Sequence, residues 1–220
     1  MGNLYFFQYD KQAVEYLKSR DQVLGQAIDI IGPIQRRVEP DLFMSLINSI
    51  ISQQISAKAV TTIWNRLLNT IGEIKPQTIN NCSVEAIQSC GLSFRKASYI
   101  KNVTECVLKG DLDIDNIKNL RDEQVCAELS KLNGIGVWTA EMLLIFSLQR
   151  QDVLSYGDLA IHRGLRMLYH HRKITKALFA KYRKRYSPYN SVASLYIWAI
   201  AGGAIPHMRD YALKSLNKKK

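Results

Sequence analysis

Cysteine is scarce. The four thiols, Cys82, Cys90, Cys106 and Cys126, lie far apart and never form a Cys-x-x-Cys pair. That spacing argues against a zinc site, and reduced thiols of a cytosolic protein are the expected state. Long apolar runs are missing too: none reaches the ~20 residues that span a bilayer. The N-terminus lacks the charged-then-apolar pattern of a secretion signal. Neither a membrane partner nor export is therefore expected. Acidic residues are outnumbered, 19 against 30 Lys and Arg, for a net charge of +11. The excess favours a polyanionic partner, though the same charge also serves plain solubility. Lys218–Lys220 read as a disordered tail. No internal repeat and no low-complexity linker interrupts the 220 residues. At 47% hydrophobic and 22% charged the composition is that of a globular protein. The length suffices to bury a core, as one domain or two small lobes.

Helix follows helix along the chain, which predicts an all-α fold. Residues 9–20 and 21–31 carry apolar side chains at helical spacing (Ala13, Val14 and Leu17, then Leu24, Ala27, Ile28 and Ile31) before Gly32-Pro33 breaks the pattern. No alternating strand pattern stands among them. Asp41 is a good N-cap for a strongly apolar, buried helix over 42–51. A polar turn at Ser52-Gln53-Gln54-Ile55-Ser56 separates it from a helix over 58–71. Further helices are predicted over 83–89, 95–109, 121–131, 137–148, 159–170, 175–186 and 191–201. The helix over 175–186 is basic, with Lys176, Lys181, Arg183, Lys184 and Arg185.

The most informative stretch joins the helices over 121–131 and 137–148. It reads Leu132-Asn133-Gly134-Ile135-Gly136-Val137-Trp138-Thr139-Ala140. Asn133 and Gly134 both tolerate positive φ and are expected to stop the first helix. Gly136 is expected to let the backbone turn tightly into the second. Such a hairpin presents backbone N–H groups at a helix N-terminus, which attract phosphate. Taken alone, Gly-x-Gly fits an ordinary helical hairpin as well. A short helix and loop further on, Ser155-Tyr156-Gly157-Asp158 opens another helix. An Asp there serves equally as an N-cap.

Together, the hairpin Gly134–Ala140 and the following Asp158 resemble the helix-hairpin-helix (HhH-GPD) DNA glycosylases, within them the 3-methyladenine glycosylase II branch. The resemblance spans roughly 41–202. It implies two helical lobes with the active-site cleft between them: a central lobe, 41–153, and a second built from 1–40 plus 154–220. The N-terminal β lobe of many bacterial members is not expected, because the chain is too short for it. The implied activity is monofunctional: hydrolysis of the N-glycosidic bond of alkylated purines such as 3-methyladenine, after the base flips out of double-stranded DNA. Alternatives are a glycosylase for other damaged bases, or a non-catalytic hairpin module that only binds DNA. A monomeric, cytoplasmic, nucleoid-associated bacterial protein is the accompanying expectation.

The resemblance also assigns roles. Asp158 becomes the catalytic carboxylate, placed where the helix dipole favours an anion. Bifunctional members carry a nucleophilic Lys where this chain has Trp138, so no lyase activity is expected. Trp138 and Trp198 match pocket aromatics whose π faces attract a cationic alkylated base. Core packing is the ordinary alternative for both. Met142 replaces a pocket tyrosine. Gln54 aligns with the residue that enters the duplex where the base has left; the ordinary alternative is that Gln53 and Gln54 only satisfy backbone at a helix junction. Gly134, Gly136 and Thr139 are expected at the phosphate, with Arg95 and Lys96 on the opposite strand or in solvent. Backbone carbonyls of Leu132 and Ile135 would hold a structural Na or K ion, with no other cofactor required. An iron–sulfur cluster is not expected, since no cysteine follows Cys126. The family's Pro before the Asp is absent, which leaves the geometry of the Ser155-Tyr156-Gly157 loop open.

Overall fold

A computed structural model of the chain describes residues 4–212; the lysine tail at Lys218–Lys220 lies outside them. The fold is helical, with one very small sheet. Strand β1 (Tyr5–Phe6) pairs with β2 (Arg37–Val38). In chain order the helices are α1 (Lys11–Arg20), α2 (Gln22–Ile31), α3 (Leu42–Ser52), α4 (Ala57–Ile71), α5 (Pro76–Asn80), α6 (Val84–Ser89) and α7 (Phe94–Lys109). They continue with α8 (Ile114–Ile117), α9 (Asp122–Leu129), α10 (Val137–Phe146), α11 (Leu159–Tyr169), α12 (Lys176–Tyr186) and α13 (Asn190–Ala201). The two strands and the one-turn helices α5 and α8 are not expected from the sequence, being too short to show a hydrophobic period.

Helix starts are set by side chains that accept from the first-turn amides. Asp10, Asp21, Asp41, Ser56, Ser83, Ser93, Asp113, Asp158 and Thr175 each do so. Each satisfies a donor that a helix otherwise leaves orphaned, worth about 1 kcal/mol. The end of α9 departs from expectation. After Leu129 the chain makes successive three-residue turns, Lys131 N–H to Glu128 O and Leu132 N–H to Leu129 O, so the regular helix stops before Lys131.

The chain divides into two compact units, Met1–Tyr5 with Val38–Gln149, and Phe6–Arg37 with Arg150–Lys220. In the first, α3 is the core helix. Its Leu46, Ile47, Ile50 and Ile51 are fully buried, and it packs against α4, α7 and α10. In the second, α13 holds that place. It is buried almost all round, as a helix apolar on every face must be, and packs on α1, α2, α11 and α12. A close approach of α11 to α13 depends on Gly164, where a Cβ would collide with the Ile197 carbonyl. The polar side of this unit is tied at Asp21, which caps α2 and takes bonds from Arg185 and the Tyr169 hydroxyl. Burial pushes the Tyr182 phenol beside this cluster up to about 12.

Candidate active site

In the first unit the hairpin runs from α9 through residues 130–136 to α10. Gly134 has φ 87°, the left-handed region, and a Cβ there would strike the Tyr99 ring. The positive φ that the turn needs sits at Gly134 alone; Asn133 does not adopt it. Gly136 does not turn the chain either. Its φ of −92° and ψ of 173° are extended, conformations open to any residue, and nothing lies within 4 Å of a Cβ built there. Gly136 is the N-cap of α10 and no side chain caps that helix. The first turn of α10 therefore faces outward without a capping group, an arrangement suited to an anion. The bareness of Gly136 serves approach from outside, not the turn.

Residues at the end of α3 and the start of α7 hold the neighbouring polar turn against the hairpin. The Gln53 amide donates to the Gly134 carbonyl at 2.7 Å. The Lys96 ammonium donates to the carbonyls of Ile51 and Gln53 at 2.8 and 2.6 Å, closing the C-terminus of α3. Burial, then the nearby Arg95, lowers the Lys96 ammonium from its ordinary value. Lys96 thus has a structural task in this unit, whereas Arg95 is exposed on the first turn of α7. Gln54, next to the braced residue, is exposed and held at φ 58°. The polar pair divides its work: Gln53 satisfies backbone, and Gln54 projects from a tight, left-handed tip. Sequence spacing gives no sign of the Gln53 tie or of Tyr99 beneath Gly134.

On α10, Trp138 is 49% exposed, so hydrophobic core is not its role. Met142 lies one turn further along, and it and Thr139 are both partly buried. The Leu132 carbonyl accepts from Ile135 N–H at 3.1 Å. A carbonyl has two lone pairs, so that bond is compatible with a cation on the other.

In the second unit, Asp158 opens α11 and is 6% exposed. Its Oδ1 accepts from the amides of Ala160 and Ile161 at 2.8 and 2.9 Å. The two backbone bonds fix the carboxylate's orientation. The preceding loop is anchored by Tyr156, whose ring meets His162 edge-on at 4.8 Å and Phe179 at 5.1 Å. Packing of that ring on α11 and α12 supplies the rigidity that a proline would otherwise give. Trp198 is partly buried on α13, one residue after Ile197, whose backbone rests on Gly164 of α11. Gly164 therefore sets the spacing of the helices that carry Asp158 and Trp198. Nothing in the sequence marks it, since a lone glycine in a helix signals only a weak position.

Residues 47–188 match the family described as HhH-GPD superfamily base excision DNA repair protein. The chain is 31% identical to DNA-3-methyladenine glycosylase 1 of Schizosaccharomyces pombe, over 83% of this chain and 84% of that protein. It is 24% identical to DNA-3-methyladenine glycosylase 2 of Escherichia coli, over 84% of this chain and 68% of that one. Among solved structures, a DNA-3-methyladenine glycosidase from Bacillus halodurans superposes with a TM-score of 0.84. It is 37% identical, covering 94% of this chain and 97% of its own. The S. pombe 3-methyladenine DNA glycosylase in complex with abasic DNA gives 0.73 at 30% identity, covering 86% and 96%.

Proposed function

Because the chain belongs to the HhH-GPD superfamily of base excision DNA repair proteins, we propose that it is a monofunctional glycosylase that releases alkylated purines, such as 3-methyladenine, from double-stranded DNA. The observation that carries this reading is Asp158, a buried carboxylate fixed by two backbone amides at the head of α11.

As the bond from base to C1′ breaks, the deoxyribose gains positive charge. A fixed carboxylate stabilises that charge, and more strongly in a site from which water is excluded. Asp158 also orients the attacking water or takes its proton. Trp138 stands where a lyase would have an amine, and an indole forms no Schiff base. The products are then a free base and an abasic site in an intact strand. The half-exposed indole instead offers a π face to a base made cationic by alkylation; Met142, one turn along the same helix, and Trp198 on α13 are proposed as further contacts to the base. Gln54 fills the gap left in the stack, and the uncapped head of α10 receives a phosphate. A monovalent cation on the carbonyls of Leu132 and Ile135 would add positive charge there.

The test is base release from methylated DNA, with strand cleavage scored separately. Asn caps a helix as well as Asp does, so Asp158→Asn should fold and bind DNA yet lose at least about a hundredfold in release. Near-normal turnover would remove the catalytic assignment and leave a DNA-binding module. A complex trapped on DNA by borohydride would refute the monofunctional chemistry.

A further inference from the structure

The positive charge of this protein is not where the hairpin is. Residues 38–149, which hold the hairpin, contain 10 Lys or Arg and 12 Asp or Glu. Residues 6–37 and 150–212 contain 16 and 7. The hairpin unit is thus slightly negative, and it meets phosphate with backbone dipoles rather than cations. Yet sequence-independent affinity for duplex comes mainly from cations that displace counterions. That contribution must arise in the second unit.

Within it, residues 159–209 hold ten Lys or Arg and no acidic residue. Two of the ten are paired, Arg166 with Asp210 and Arg185 with Asp21. Six others are exposed and make no ion pair with a described residue: Arg172, Lys173, Lys176, Lys181, Arg183 and Lys184. They lie on α12 and the turn before it. Phe179, Tyr182 and Tyr186 bury one face of α12. At 3.6 residues per turn, Lys181 and Lys184 occupy the opposite face, with Lys176 and Arg183 on the flanks. Asp152, near the end of the helix, is taken up by Ser187 and Asn190. An ordinary solvated face mixes both signs; this one carries a single sign along the whole helix, about 16 Å at 1.5 Å per residue.

We propose that the outer face of α12, with the turn at Arg172 and Lys173, is a second phosphate-binding surface that takes the backbone of duplex DNA. The proposal rests on the DNA-acting reading above but not on catalysis. It assigns the electrostatic grip to α12 and leaves positioning at the lesion to the hairpin.

The experiment measures binding of undamaged duplex by fluorescence anisotropy between about 50 and 200 mM NaCl. It compares the intact chain with a Lys181→Gln, Arg183→Gln, Lys184→Gln triple variant. The slope of log Kobs against log salt should become shallower by about 2 to 3, near 0.9 for each phosphate that is no longer neutralised. A charge-conserving triple, Lys181→Arg, Arg183→Lys, Lys184→Arg, should keep the parent slope. An unchanged slope in the glutamine triple overturns the proposal, as does an equal flattening in the charge-conserving one. Absence of base release by the intact chain would instead count against the catalytic reading, and the binding comparison would stand apart from it.

Discussion

Gly134→Ala should destabilise the first unit for two separable reasons. The φ of 87° lies where an L side chain is strained, at a cost of about 1–2 kcal/mol. The new Cβ would also sit 2.9 Å from Tyr99 Cε2 and 3.1 Å from Cγ, with Cδ2 closer still. Forcing a methyl into such a contact costs about 1–3 kcal/mol. Less chain entropy in the unfolded state returns about 0.4–1 kcal/mol. The net loss is about 2–4 kcal/mol, a large share of the ~5–15 kcal/mol that holds a domain together. Denaturant unfolding of the parent, Gly134→Ala, Tyr99→Ala and the double variant resolves the two parts. With the ring gone, Gly134→Ala should cost only its backbone strain, so the pair should couple by about 1–3 kcal/mol. A Gly134→Ala protein within about 0.5 kcal/mol of the parent, or a pair with no coupling, would refute the reasoning. Gly136→Ser is the counterpart. Its backbone is extended, its Cβ would meet open space, and Ser is a better N-cap than Gly. The fold should be at least as stable, while DNA affinity falls about ten- to a hundredfold, because one hydrogen bond to a charged group is worth ~1.5–3 kcal/mol.

Two further outcomes follow from the same geometry. Gln54 is held at φ 58°, so Gln54→Gly should be no less stable than the parent. Its base release should nonetheless fall on a paired lesion and recover when the lesion faces a mismatch, where the base leaves the stack more easily; an equal defect on both substrates would remove the wedge role. Arg166 grips Asp210 by two hydrogen bonds and holds that carboxyl below the usual range, which fastens residues 207–212 to α11. A depressed folded value means that the clamp contributes fully above the ordinary carboxylate range of about 3.9 and is lost as pH falls through the lowered value. Protection of this segment against hydrogen exchange, relative to the intrinsic rate at each pH, should be high at about pH 5 and fall as pH drops through the lowered carboxyl value, and Arg166→Gln should remove it at about pH 5 as well. Equal protection in parent and variant would show that the clamp does not hold the segment.

Much of the fold is legible because its determinants are local. Apolar spacing in α3 and α13 and capping residues such as Asp41 and Asp158 act within a turn or two of chain. The one-turn helices α5 and α8 and the paired dipeptides of the sheet carry too few residues for a period to register. The hairpin shows where local reading stops. Which glycine bends the chain is a matter of φ, and Gly-x-Gly looks symmetrical until Tyr99, distant in sequence, is found under Gly134. The Gln53 amide reaches Gly134 across 81 positions, a contact no periodicity announces. Asp158 was legible as a residue type in a motif, but its orientation by two amides and the anchoring of its loop through Tyr156 come from packing.

Charge shows the same distinction. A net charge of +11 describes the whole chain, and the natural inference places it at the DNA-binding motif. The units partition it otherwise. A hairpin that works through amides gains from a bare approach, and side-chain cations near its mouth would compete with the phosphate for space and with each other for solvation. Lys96 is turned inward to close α3 instead. Cations that act at the range of a Debye length, about 8–10 Å, need no such precision and can stand on any exposed helix. Sequence-independent attraction and close positioning thus demand different surfaces, and this chain carries them on different units.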